Sequence, residues 1–563
     1  MNRMCIGAAF VAGAALLSLV NGCALAARSG DALVSLDLGP WSRPSGFASA
    51  DAQRCFDEGL TLAYAFNHDE AVRRFEAAAR HDPSHPMPYW GIALVHGPHV
   101  NKPDLPRDRA RAAFAAWTEA DARADRASPV ERALIEALGA RYSADPDAPR
   151  APLDRAYADA MRTVHARFPD DPDVGALTAE ALMDLQPWDY WAADGAPKGN
   201  TTEFIAILER DLERFPTNPG LNHLYIHAME AGPMPQKAKA AADRLRSLTP
   251  DAGHLLHMPA HIDIRLGDFE LASEANRVAM AADARLEAAT PRAGFYRVYM
   301  AHNPHFLAFT SMMQGNFANA HAAARAMIDG MPQEFIREAG AIADGFAPVE
   351  VHVLVRFGKW SEILELPAFA EHLPFANATR HYARGVALTA LDRTDEAAHE
   401  LAALEATAAK LDARIIGINE ARVVIRIARD LLAGELAFRR GDRDGGLALL
   451  RAAVATEDTL LYMEPPDWMM PARHPLGAAL LEAGRFDEAA RVFREDLARF
   501  PENGWALFGL SQAMEGLGDA NAAADARRRH REAFAHADVE LRSPCFCQPG
   551  VGFGALRMLV PKR

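Results

Sequence analysis

Cysteine is scarce, with five in 563 residues. So thin a supply excludes a disulfide-built scaffold. Cys55, Cys545, Cys547 and Cys23 are the ones that bear on a mature chain. The pair in "RSPCFCQPG" can bond Cys55, ligate a soft metal or stay idle, and a disulfide or an idle pair is the favoured reading. Positive charge is also short: 60 Lys and Arg stand against 75 Asp and Glu, for a net charge of -15 spread along the chain. That balance excludes a phosphate backbone or an anionic membrane surface as the main partner, so no nucleic acid is expected. After the first 20 residues no long apolar run occurs, and no alternating strand pattern appears anywhere. Glycine-rich phosphate loops, a nucleophile elbow and a dinucleotide fingerprint are missing too.

What is present begins with an export signal. Met-Asn-Arg-Met precedes an apolar stretch from Cys5 to Val20, and Ala24-Leu25-Ala26 supplies a small-residue cleavage pattern. Sixteen apolar residues fall short of the roughly 20 that span a bilayer. Residues 1–26 therefore read as a signal peptide and 27–50 as a linker, for an exported periplasmic or cell-envelope protein. Val20-Asn21-Gly22-Cys23 is similar to a lipoprotein signal, apart from Asn21, and leaves a lipid on Cys23 as the one route to a membrane.

The rest of the chain is alanine-rich, with apolar spacings of three and four residues punctuated by Gly-Asp, Gly-Asn and Pro-Asp turns. The fold class is all-α. Pro216 and Pro250 lie 34 residues apart, as do Ala238 and Ala272, and a 34-residue helix–turn–helix period is the signature of the tetratricopeptide repeat (TPR). Segments 68–83, 315–327, 393–406, 441–454 and 484–501 all resemble TPR second helices, and at least seven units are readable. Each helix pair leaves an apolar face that the next pair covers, which predicts an α-solenoid of antiparallel pairs with a concave inner surface. Two interruptions are expected: a Gly- and Pro-rich inserted loop at 187–202, and half a unit of extra chain near 286–300. The segments then read as N-terminal units 51–215, central His-rich units 216–365, C-terminal units 366–541 and a Cys-containing tail 542–563.

Histidines collect in the central units. Seven of the 21 fall between residues 223 and 305, against about three for a uniform composition. With Ala238 and Ala272 at repeat position 20, His223, His227 and Glu230 take positions 5, 9 and 12, and His254, His257 and His261 take positions 2, 5 and 9. Ala320 likewise places His302 and His305 at positions 2 and 5. In the TPR arrays that this chain resembles, these positions line the concave surface. At 100° per residue, offsets of three, four and seven share one helix face, and neighbouring helices bring equal positions together.

Imidazole is the commonest nitrogen ligand for zinc, copper, nickel and iron. A transition-metal site (Zn, Cu or Fe) is therefore expected, with His223, His227, His257 and His261 as its central square. Glu230 serves as an oxygen ligand or an orienting group, and His254, His302 and His305 extend the line. Pro259 removes a donor between His257 and His261 and makes that end of the square the least regular. Met258 and Met234 read as core rather than ligands. A plain peptide, protein or small-molecule groove, in which the imidazoles only hydrogen-bond, stays open beside the metal reading. So does a metal-dependent enzyme. "HLYIH" has Leu224 where a zinc-protease helix needs its glutamate, which excludes that route to hydrolysis. His96 and His99 read as loop residues. Trp188, Tyr190 and Trp191 are expected either to cap the groove or to anchor their own loop.

The motifs "PWDYW…DG", "HLYIHAMEA", "GHLLHMPAHI", "EPPDW" and "VFREDLARFPENGWALFGL" resemble those of a group of bacterial exported TPR proteins. The likeness runs from near Ala50 to "SPCFCQPG". It implies the fold and carries no reaction or substrate with it.

Overall fold

The computed structural model describes residues 33–289, 294–331, 337 and 340–547. The expected export signal, Cys23 and residues 548–563 lie outside the described residues. Among the described residues no helix is long and apolar enough to cross a membrane.

The chain is an all-α TPR solenoid in which successive helices pair antiparallel, as in Ala50–Tyr64 with His68–His81, Ala421–Arg439 with Arg443–Glu457, and Phe486–Arg499 with Gly504–Gly516. The sequence shows why the helices nest. Phe75 and Phe493, both fully buried, each fill a slot between two glycines on neighbouring helices. A Cβ on Gly59 or Gly91 would stand 2.7 or 2.6 Å from the Phe75 ring, and one on Gly477 or Gly509 only 2.3 Å from that of Phe493. Bare backbone on one side and a ring on the other is the close packing that carries core stability. Turns within hairpins need one left-handed residue, supplied by Gly267, Gly315, Gly358, Gly441, Gly484 and Gly518. Asp392 and Phe66 occupy the same turn position with φ of 59° and 53°. Asn316, Asp442, Asn503 and Asp519 then cap the second or following helix through their side chains.

The expected interruptions are present in altered form. Residues 187–200 make a loop pinned by a Trp191–Pro197 bridge, and the expected loop's last two residues already belong to the helix Thr201–Arg214. Part of the extra half-unit is taken up by a longer helix, Phe269–Ala289, of 21 residues where Phe317–Gly330 has 14, and residues 290–293 of the expected insertion lie outside the described residues. A short pairing of Ile415–Ile416 with Asn419–Glu420 is an addition that the sequence pattern did not announce.

Two compact units result. One holds the residues up to Ile262 together with Ala275–Met300; the other holds Asp263–Glu274 and the chain from Ala301 onward. The division thus falls inside the 216–365 segment. Each unit departs from the neighbour-only contacts of an open solenoid. In the first, the helix Ala50–Tyr64 packs against the helix Pro219–Met229. The Tyr64 ring lies flush on Gly220, where a Cβ would meet it at 2.6 Å. Its hydroxyl donates to Asp173 over 2.8 Å, and Arg43 bridges Asp171 and Asp173. In the second, Trp505 donates its indole N–H to the Met312 carbonyl over 2.8 Å, and Asp538 accepts from the N–H groups of Phe317 and Ala318.

Candidate metal centre

Closure of the first unit turns the expected groove into an interior. His223, His227, His254, His257 and His261 are all buried, none more than 5% exposed, rather than lining an open surface. The physical cause is the hairpin 50–81, which lies across the helix that carries His223 and His227.

That helix, Pro219–Met229, starts at Asn218, whose side chain accepts from the Leu221 N–H, and Pro219 fits its first turn. His223 and His227 stand one turn apart on it. The next hairpin supplies His254 from the short helix Gly253–His257. Donor nitrogens of His223, His227 and His254 all lie within 4.8 Å of one another. Nε2 of His223, Nε2 of His227 and both ring nitrogens of His254 have no hydrogen-bond partner. Buried polar atoms are ordinarily paired, so three imidazoles that bring unpartnered nitrogens within 4.8 Å of one another mark a place where something else binds.

The other ring nitrogens fix the tautomers. His223 Nδ1 donates to the Tyr64 carbonyl over 2.6 Å. His227 Nδ1 donates to Glu230 Oε1 over 2.7 Å. Both Nε2 lone pairs are thereby turned toward the common point, in the arrangement by which a carboxylate or carbonyl orients a metal-binding imidazole. Burial, and then His227, pushes His223 well below the usual imidazole range; burial, and then His223, does the same to His254. Neutral imidazole is the form a metal requires.

His257 and His261 are placed differently from the expected square. Pro259 ends one short helix and starts another, Pro259–Leu266, and the His261 N–H donates three residues back to Met258. The straight-helix register is lost there, and His254 rather than His257 joins His223 and His227. His257 and His261 instead form a hydrogen-bonded chain, Nε2 to Nε2 over 2.8 Å. The chain ends on Asn276 at one side, 2.8 Å from His257 Nδ1. At the other side His261 Nδ1 pairs with Glu230 Oε2. Burial would raise the Glu230 carboxyl, but His261 and His227 hold it down at about 2. With Asn276 accepting from His257 Nδ1–H, His257 Nε2 is left to accept from His261 Nε2–H. Glu230 thus stands between His227 and His261, placed to orient both rings. His302 and His305 belong to the other unit, where His302 packs on Phe306 and His305 on Phe346 at 5.0 Å. Burial, and then His352, lowers His305 to about 3.

Residues the sequence reading did not connect with the site complete its wall. Phe66 stacks over the cluster, 4.6 Å from the His223 ring, 5.6 Å from His254 and 4.3 Å from His99. On its far side a cavity of about 20 Å³, enough for one water molecule, is lined by Phe66, His68, His99, Lys102, Arg109 and Phe295. His99, read from sequence as a loop residue, is buried there with its Nδ1 unpartnered. Trp188 sets its ring edge-on to His227 at 5.2 Å, and Trp191 donates to the Ala228 carbonyl, so the inserted loop covers the end of the site. Tyr190 serves the loop itself, packing on Phe204 at 5.2 Å. Met258 is core and Met234 is 42% exposed, neither at the centre.

Phe66 is a bulky residue in a backbone conformation that costs about 1–2 kcal/mol for anything but glycine. This leads to an inverted ranking. Phe66→Ala loses the ring and keeps the strain, whereas Phe66→Gly loses the ring and the strain together. Urea denaturation is expected to show the glycine variant more stable than the alanine variant by about 1 kcal/mol. The usual order, alanine above glycine, would mean that the turn stores no strain.

No family model and no curated protein matches the chain. Among solved structures it is similar to human IFIT1 bound to PPP-AAAA, at 12% identity and a TM-score of 0.30, over 85% of this chain and 89% of that one. It is also similar to a Rap protein complexed with competence and sporulation factor, at 12% identity and a TM-score of 0.33, over 60% and 84%. A third is the Cut9–Hcn1 assembly of the APC/C, at 11% identity and a TM-score of 0.28, over 88% and 78%. Likeness at this level says nothing of ligand or activity.

Proposed function

We propose that this is an exported TPR protein of the cell envelope whose first unit binds one transition-metal ion through His223, His227 and His254. The observation that carries the reading is the convergence of three buried imidazoles that each keep an unpartnered ring nitrogen. Three nitrogen donors with oriented partners suit zinc, copper or iron(II). An extended peptide cannot reach nitrogens so buried, which argues against a groove in which these histidines only hydrogen-bond. The TPR frame would hold the ion rigidly and offer its outer faces to a protein partner, making the chain a binding or assembly module.

A metal-dependent enzyme is the second reading, and a specific observation favours it. Three protein donors leave a coordination position to solvent or substrate, and bound there an ion supplies Lewis acidity. The chain's own contribution would be the row His227–Glu230–His261–His257, which can hold or pass a proton beside the site.

Metal analysis tests both. Protein purified and then incubated with zinc, copper, nickel or iron(II) is expected to retain about one equivalent of one of them after desalting. His223→Ala combined with His254→Ala is expected to retain none while keeping its helical circular dichroism. Retention well below one equivalent for every ion in the unmutated protein would end both readings.

A further inference from the structure

The tail "SPCFCQPG" takes no part in the site above, and Cys55 is a free, buried thiol. Cys545 and Cys547 are bonded to each other. They sit in the second unit against the helix Ala421–Arg439, where a Glu435 oxygen and both sulfurs lie within 4.8 Å of one another. Phe546 clamps the turn between them. Its ring packs on Trp505 at 5.7 Å, and Gly358 leaves it room, since a Cβ there would come within 3.0 Å of the Phe546 Cβ. Glu435 is 1% exposed and neither of its carboxyl oxygens has a hydrogen-bond partner. A carboxyl in that condition is costly unless it is protonated or has a use.

We propose that Cys545 and Cys547 form a thiol–disulfide exchange site that Glu435 serves as proton donor and acceptor, with a dithiol, of a protein or a small molecule, as co-reactant. The exposure fits the roles. Cys545 is partly exposed and Cys547 is buried beside Glu435. A thiolate of the dithiol attacks Cys545 Sγ, forming a mixed disulfide and breaking the Cys545–Cys547 bond. Cys547 leaves as thiolate and takes the proton of the Glu435 carboxyl. The second thiol of the donor, losing its proton to the Glu435 carboxylate, attacks its own sulfur in the mixed disulfide and releases the Cys545 thiolate, which takes a proton from solvent. The donor is oxidised to its disulfide and the pair is reduced to two thiols; the reverse sequence oxidises a substrate dithiol. Burial pushes the Glu435 carboxyl up to about 8, against a smaller opposing pull from Arg439 one turn along, so it holds a proton to give at neutral pH. The buried Tyr382 phenol, itself pushed up by burial and then by Glu435, is another titratable group near it.

The test follows reduction of the native, oxidised protein by dithiothreitol at pH 7, with thiols trapped by iodoacetamide and counted by mass. The Cys545–Cys547 pair is expected to reduce without unfolding, and Glu435→Gln to slow that reduction about tenfold or more. Glu435→Asp, which keeps a carboxyl, is expected to fall between. Unchanged rates in Glu435→Gln would overturn the proposal. So would a pair that reduces only after denaturation, or a reduced pair that holds stoichiometric zinc and releases it in Cys545→Ser. Should neither glutamate variant fold, the unmutated protein decides. Its rate per dithiothreitol thiolate is expected to fall as pH rises through about 8, and a flat profile would overturn the assignment.

Discussion

Glu230→Ala is expected to destabilise the first unit by about 3–5 kcal/mol, the range for removing one partner of a buried ion pair. The carboxylate is fully buried and meets His227 on one side and His261 on the other. Without it His261 Nδ1 has lost the carboxylate it pairs with in the interior, and His227 has lost the acceptor that sets its tautomer. Two further readouts separate these roles. In a Glu230→Ala background, His261→Ala is expected to cost much less than it does in the unmutated protein, because the Glu230–His261 pairing has already gone. Glu230→Gln keeps an oxygen for His227 Nδ1–H and is expected to fold, yet to weaken metal binding about 10- to 100-fold as an orienting group is blunted. Urea denaturation and metal titration measure the two. A Glu230→Ala protein within about 1 kcal/mol of the unmutated one would show that the glutamate carries no charge balance.

How the site relates to its sequence depends on chain distance. His223, His227 and Glu230 were legible because offsets of four and three residues on one helix share a face whatever the rest of the chain does. The hairpins were legible for a similar reason: their turn residues and small contact residues recur at a fixed interval. What sequence periodicity could not carry is closure. The Tyr64 carbonyl that receives His223 Nδ1 is 159 residues away, and a neighbour-only repeat gives no reason for the two to meet. Hence histidines expected on a concave surface are buried, and His99 and Phe66 join them. Pro259 was visible as a break, but the direction of the bend was not, and the bend puts His254 where His257 was expected. One signal did stand in the sequence unread. The turn position filled by Gly267, Gly315 and Gly358 is filled in the first hairpin by Phe66, and a large aromatic residue where the backbone asks for glycine points to use.

A strong pH effect is expected at Glu435, and its sign follows from the direction of its shift. The carboxyl is raised from 4.5 to about 8 by burial. Below the lower value it is protonated in both the folded and the unfolded chain, and its contribution is fully present. As pH rises, the unfolded chain gives up the proton first, so stability falls by about 1.4 kcal/mol per unit until the folded carboxyl ionises near the upper value. Glutamine fills the same space and does not titrate. The stability gap between Glu435→Gln and the unmutated protein, both oxidised, is therefore expected to widen in favour of glutamine by about 3 kcal/mol between pH 5.5 and 8.5. Urea denaturation at the two pH values reads it directly, and parallel curves would mean that Glu435 is paired or hydrated in solution. The same comparison bears on the exchange site. A carboxyl that destabilises the fold at neutral pH while making no hydrogen bond is retained against its own energetics, and the sulfurs beside it supply the reason: each turnover of the pair moves protons that a buried thiol cannot take from water unaided.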